Sequence, residues 1–171
     1  EERPKMRVNT REGVTYLTYP EFDKLPGFVH AFSTRLGGVS EGIYSSMNLS
    51  FTRGDKEEAV KENYKRIADA AGFDMNDIVT SDQTHTANVR LVTEKDRGNG
   101  ITKPRPYTDV DGMITNVPGL VLATFYADCV PLYFIDPVHR AIGLSHSGWR
   151  GTVAKIGAVT VRRMQEEFGS E

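Results

Sequence analysis

The sequence predicts a mixed α/β domain, with a mixed sheet and helices packed in layers. Three observations lead there. Short runs rich in β-branched and aromatic residues recur along the chain. Two longer stretches carry apolar residues at helical spacing. The chain of 171 residues is long enough for one domain, or one and part of a second, to bury a sizeable core. Strands bracketed by amphipathic helices pack as layers.

Taken in order, Val14 to Tyr19 and Phe28 to Ser33 read as strands. Thr34 to Asn48, with Gly37, Gly38 and Gly42, reads as turns. Asp55 to Ala71 reads as a helix, because Val60, Tyr64, Ile67, Ala68 and Ala71 share one face. Asp55 is its expected cap, with Glu58 completing a capping box, and Gly72 its stop. Ile78 to Thr80 and Asn88 to Val92 read as short strands, and Thr93 to Thr108 as a surface loop. Strands are then expected at Val110 to Thr115, Leu120 to Tyr126, Leu132 to Ile135 and Ala141 to Ser145, with a hairpin turn over Asp136 to Arg140. A single helix from Thr152 to Phe168 closes the chain, with Val153, Ile156, Thr160, Met164 and Phe168 on one stripe.

Composition excludes several function classes. Hydrophobic residues make up 39% and charged residues 26%, as in an ordinary soluble protein. The formal net charge of -2 gives no basic bias toward nucleic acid, and no apolar run is long enough to span a membrane. One cysteine cannot build an internal disulfide framework and fits a reducing cytoplasm. The opening Glu1-Glu2-Arg3-Pro4 has no signal-peptide pattern. The start on Glu1, and the stop just past a helix at Glu171, lead us to expect a single domain over residues 1–171 that continues beyond its last residue.

The single thiol, Cys129, lies in Ala127-Asp128-Cys129-Val130-Pro131, at the end of an expected strand. His146 ends another strand, and His85 lies in a loop before a third. Strand ends and a loop can converge, and one thiolate with two imidazoles is a three-ligand set for zinc that leaves a fourth position open, as catalytic sites require. A lone cysteine also packs well as a small apolar residue, and a lone histidine often satisfies a local hydrogen bond. Both alternatives stand at this level. His30, inside a strand pattern, and His139, in the hairpin turn, read as structural.

Polar neighbours extend the set. Asp128 precedes the thiol and can orient a ligand, and Gln83 falls on the same side as His85 if that segment is extended. Asp111 heads a strand, from where it can reach a substrate. Two places suit an anion. Arg35 precedes Gly37-Gly38, where backbone N–H groups can approach a ligand, and Arg150 stands in Gly148-Trp149-Arg150-Gly151 at the entry to a helix. Neither is a Walker motif, since the motif's lysine is absent.

Six strings occur in order: Phe32-Ser33-Thr34-Arg35-Leu36-Gly37-Gly38-Val39-Ser40, Met47-Asn48-Leu49-Ser50, Asp82-Gln83-Thr84-His85, Asp109-Val110-Asp111-Gly112, Ala127-Asp128-Cys129-Val130-Pro131 and Ser145-His146-Ser147-Gly148-Trp149-Arg150-Gly151. From about Phe28 onward the chain resembles the laccase-domain family, also called multicopper polyphenol oxidase proteins and described as purine nucleoside phosphorylases. The resemblance implies that family's α/β sandwich and a zinc held by His85, Cys129 and His146. It implies phosphorolysis of adenosine, inosine, guanosine and methylthioadenosine with inorganic phosphate, and deamination of adenosine to inosine. Arg35 and Asn48, and with less weight Arg150, are then expected to meet substrate or phosphate, with Asp111 as a polar contact to nucleoside. Family chains usually continue for several dozen residues with further cysteines, and often carry Gly where this chain has Thr86. The H-x-E and P-C-x-x-C strings of other zinc nucleobase deaminases are absent.

Three other classes compete. Cys129 and His146 can pair as nucleophile and base of a cysteine hydrolase. A copper-dependent phenol oxidase would suit the older family name, but four histidines and one cysteine supply few copper ligands. A protein that senses a nucleoside would bind without turnover. Oligomeric state is not legible.

Overall fold

The protein, a computed structural model, is described over residues 5–171. It adopts the expected mixed α/β architecture and divides into two compact units, one up to Met75 and one from Asn76 onward.

The first unit is built on an antiparallel sheet of β1 (Arg7–Arg11), β2 (Val14–Thr18) and β3 (Phe32–Ser33). β1 escapes a sequence pattern because its residues are almost all exposed, so no core-facing alternation marks it. It forms because Glu12 and Gly13 take positive φ values of 49° and 80°, a two-residue turn whose twist matches a hairpin. In β2, Val14, Tyr16 and Thr18 point inward. The strand expected over Phe28 to Ser33 is shorter. Upstream of Phe32 the His30 ring, not a backbone ladder, reaches β2's end, accepting the Tyr19 N–H at 2.7 Å. A short helix, α1 (Pro20–Asp23), follows β2.

Helix α2 (Glu57–Ala71) packs Ile67 and Ala70 against Val14, Tyr16 and Met47. Its start differs from the expectation. The N-cap is Lys56, without a side-chain cap, because the Asp55 carboxylate is committed elsewhere, accepting from the Lys56 N–H, Ser40 Oγ and Asn48 Nδ2. Gly72 closes the helix at φ 92°, with its N–H on the Ala68 carbonyl.

In the second unit, β4 (Ile78–Thr80) pairs in parallel with β7 (Val121–Ala123). A four-stranded sheet runs β5 (Val89–Leu91), β6 (Gly112–Thr115), β9 (Ala141–Ser147), β8 (Val130–Asp136). β5 and β6 are parallel, and β9 is antiparallel to both β6 and β8. The β8–β9 hairpin turns over residues 137–140, as expected, and its register sets Pro131 opposite His146. Pro131 cannot donate to a ladder, and an edge strand is where a proline is tolerated.

The terminal helix is two helices, α3 (Trp149–Val153) and α4 (Ile156–Phe168), broken at Lys155 with φ 57°. The strand it leaves fixes α3: Thr152 Oγ1 bonds the Gly148 carbonyl and Ser147 Oγ, each at 2.8 Å. Packing fixes α4, which buries Ile156, Thr160 and Met164. Lys155 absorbs the change of direction between them.

Apolar clusters among the described residues hold this unit. Ile114, Ala141 and Met164 form one, and Val79, Val92, Val110, Met113 and Leu120 another. Met113 is wholly buried, and burying such a side chain contributes roughly 1.5–3 kcal/mol. No helix among the described residues is long and apolar enough to cross a membrane.

Candidate metal centre

The organiser of the site is a carboxylate. Asp111 stands immediately before β6 and has no exposed surface. Its Oδ1 accepts from the Thr84 N–H at 3.0 Å, the Thr86 N–H at 2.9 Å and the Thr86 hydroxyl at 2.9 Å. Its Oδ2 accepts from the His85 N–H at 3.0 Å and meets His146 Nδ1 at 3.0 Å. A buried carboxylate is tolerable only when satisfied in this way. Burial works to raise this carboxyl, but the donations from Thr86, Thr84 and His146 outweigh it and hold the group below the ordinary carboxylate range.

The same carboxylate explains the shape of the first loop. Three successive N–H groups, from Thr84 to Thr86, wrap around Asp111, and the wrap requires His85 to sit at φ 66°. A non-glycine residue at positive φ persists only where surrounding contacts over-determine it. Thr86 adds its hydroxyl to the cradle.

Three segments deliver the donors. His85 comes from this loop, Cys129 from the residue before β8, and His146 from β9. The ligand atoms of the three side chains all lie within 4.8 Å of one another. A tetrahedral ion bonded at 2.0–2.3 Å separates its ligands by about 3.5 Å, so small side-chain movements close the set. The rings of His85 and His146 meet edge to face with centroids 5.1 Å apart. His85 is exposed, Cys129 half-buried and His146 buried, so the set opens to solvent on the His85 side. Because His146 Nδ1 is committed to Asp111, Nε2 is left as its ligand atom. A thiolate with two imidazoles suits zinc or copper, not magnesium or calcium, which want oxygen. Among the described residues this is the group of such donors that can hold a metal.

Other expected site residues fall elsewhere. Asp111, expected to contact substrate, is instead buried with both oxygens engaged. Gln83 does not lie alongside His85, because the chain bends at Thr84 and His85; its amide clamps Phe125, giving to the carbonyl at 2.6 Å and taking the N–H at 2.7 Å. Asp128 is exposed, and its contact to the thiol is a long 3.9 Å. Arg150 is exposed over the Trp149 ring, and the helix it enters is only five residues long. Arg35 and Asn48 belong to the first unit. Arg35 holds the Ser45 carbonyl with Nε and Nη2, while Asn48 is spent on Ser50 and Asp55.

Two neighbours carry no sequence signal of their own. The Tyr126 ring lies 5.6 Å from that of His146, and its hydroxyl reaches Thr124 and the Ser145 carbonyl. Burial pushes the Tyr126 phenol up to about 12; the Thr124 bond pulls it back, and charge on Cys129 adds to the rise. Gly148 is the second; it stands in the Ser-His-Ser-Gly-Trp-Arg-Gly string, but only the folded chain shows what it faces.

The profile of a family described as multi-copper polyphenol oxidoreductase laccase matches residues 29–171. The chain belongs to this family. Among laccase-family relatives, the purine nucleoside phosphorylase YlmD of Bacillus subtilis is 40% identical over 143 residues, covering 83% of this chain and 51% of that one. The adenosine deaminase RL5, from an unknown prokaryotic organism, is 34% identical over 146 residues, 84% of this chain and 56% of that one. The crystal structure of the Bacillus licheniformis hypothetical protein YfiH matches with a TM-score of 0.84 at 35% identity, covering 96% of this chain and 60% of that one. This member thus spans about half the length of the curated relatives it matches.

Proposed function

We propose that this chain carries a zinc-dependent purine nucleoside site, which cleaves nucleosides with inorganic phosphate and deaminates adenosine, in a cytoplasmic setting. The observation that carries the reading is the meeting of His85, Cys129 and His146 from three separate segments, in a family whose relatives are named purine nucleoside phosphorylase and adenosine deaminase. When bound at these three residues, zinc supplies Lewis acidity. Copper is the lesser choice. His30 is engaged with Tyr19 and His139 with Asp136, so the other two histidines are not free to extend a copper cluster.

The residues divide the work. Asp111 accepts the hydrogen bond of His146 Nδ1–H and so leaves Nε2 free as the ligand atom, as a carboxylate does in orienting a ligand histidine. The same carboxylate holds the His85 backbone, which preorganises the exposed side of the set. Gln83 ties the segment that leads to His85 to the one that leads to Cys129, through both backbone groups of Phe125. Tyr126 covers one side of the His146 ring. Arg150, exposed beside the strand that carries His146, is the residue we assign to the anion of phosphate.

The test is metal content by mass spectrometry for wild type and Cys129→Ala, followed by chromatography of nucleosides incubated with phosphate. We expect about one zinc per chain in the wild type, lost in the variant together with release of free base and inosine. Full zinc content in Cys129→Ala sinks the assignment.

One observation favours a second reading. Cys129, His146 and Asp111 form a thiol, an imidazole and a carboxylate on the imidazole's far nitrogen, as in a cysteine hydrolase. That reading predicts no metal in the wild type and loss of activity on alkylation.

A further inference from the structure

Gly148 connects β9 to α3 with φ −80° and ψ 178°, extended backbone that any residue adopts. Conformation therefore does not call for glycine here, and space does. A Cβ built on Gly148 would lie 3.0 Å from His85 Cδ2, 3.1 Å from Cys129 Sγ and 3.7 Å from His85 Nε2. All three of its nearest neighbours are atoms of the two ligand side chains that come from outside β9. Optimal contacts between carbon atoms fall at about 3.5–4.0 Å, so two of the three are compressed by roughly half an ångström.

We infer that Gly148 is the positioning residue of the His85–Cys129–His146 site, its missing side chain being the space in which the thiol and the His85 ring come together. The inference rests on the proposal that these three residues hold a metal, and adds what lets them meet. Without metal the crowding is cheaply relieved, because His85 is exposed and its ring can swing aside by a few tenths of an ångström. With metal the ligand atoms are held at 2.0–2.3 Å from the ion and cannot yield. A methyl group at position 148 therefore acts against the loaded state alone. The sequence on either side follows the same logic. Ser147 and Thr152 lock the junction between β9 and α3, so Gly148 itself is not free to retreat.

The variant Gly148→Ala tests this with the metal alone. Wild type and variant are titrated with Zn²⁺ against a chromophoric chelator, loaded with Co²⁺ to read the thiolate-to-cobalt absorption, and melted without metal. Zinc affinity is expected to fall about 10- to 100-fold, as when outer supports of a metal site are lost. The cobalt band should shift or weaken, while the metal-free melt stays within a few degrees of wild type. Equal zinc affinity and an unchanged cobalt spectrum overturn the role of Gly148 while leaving the metal site standing. Loss of the metal-free fold also overturns it, since the clash would then be with the scaffold. A wild type that binds neither metal overturns the metal site and this role together.

Discussion

Replacing Asp111 by Asn keeps the side chain's shape and removes one acceptor, so its effect can be worked from the contacts. Oδ1 serves three donors and Oδ2 serves two, the His85 N–H and His146 Nδ1. The less damaging choice places the new NH₂ on the Oδ2 side. There it opposes the His85 N–H, and one buried unmet donor costs about 1–3 kcal/mol. Toward His146 the NH₂ can donate only if Nδ1 gives up its proton, and the imidazole then carries its hydrogen on Nε2. The ring stays in place with the wrong nitrogen protonated, as in the serine-protease variant whose triad aspartate becomes asparagine. A protein of this size loses about 2–4 °C of Tm per kcal/mol, so the melt should fall by roughly 2–12 °C. Metal binding should suffer more than the fold. Thermal melting and chelator competition measure the two separately, and ¹⁵N chemical shifts of the His146 ring report the tautomer. A variant that melts with wild type, binds zinc equally well and keeps the proton on Nδ1 would refute the reasoning.

Two further outcomes follow from other parts of the structure. A Cβ at Gly38 would lie 2.0 Å from the Ser46 carbonyl oxygen and 2.6 Å from Met47 Cα, backbone that cannot swing away; Gly38→Ala should therefore lose at least about 1–3 kcal/mol in a urea melt, the cost of overpacking, and an unchanged midpoint would show that the turn adapts. Asp136 is held down at about 2 by the Ser170 hydroxyl, the His139 N–H and ring, and the Val138 N–H. A carboxyl depressed in the folded state stabilises fully above its unfolded value near 3.8 and loses that contribution as pH falls toward 2. The Tm gap between wild type and Asp136→Asn should thus be widest above pH 4 and close toward pH 2; a gap independent of pH would rule out the carboxylate as its source.

Helix α2 was legible because Val60, Tyr64, Ile67 and Ala68 of its buried face repeat at helical spacing and a left-handed glycine ends it; that repeat does not include the buried Asn63 and Ala70. The break at Lys155 was not. Val153 and Ile156 both fit one apolar stripe, and what divides them is the hydrogen bonding of Thr152 to the strand behind it. β1 was missed because an exposed edge strand has no inward face to leave a pattern. At the candidate site, the three donor residues were visible because cysteine and histidine are scarce in this chain. Their supports were not. Asp111 looks like any Asp-Gly at a strand start, and its five donors come from residues 25 to 35 positions away. Gln83 shares a side with His85 only in an extended segment, and the chain bends at Thr84 and His85. Periodicity reports which side faces a core; it carries nothing about a polar contact made across such a separation.

The seven-pair register of β8 against β9 ties Val130 to Ser147 and Pro131 to His146. β9 is pinned independently by β6, so any error falls on β8. A slip of one residue moves β8 by about 3.4 Å and turns its side chains to the opposite face. Cys129 would then leave the two imidazoles, although most backbone hydrogen bonds of the hairpin could re-form. On the metal site proposed above, zinc uptake would separate correctly threaded molecules from compact ones whose hairpin closed out of step.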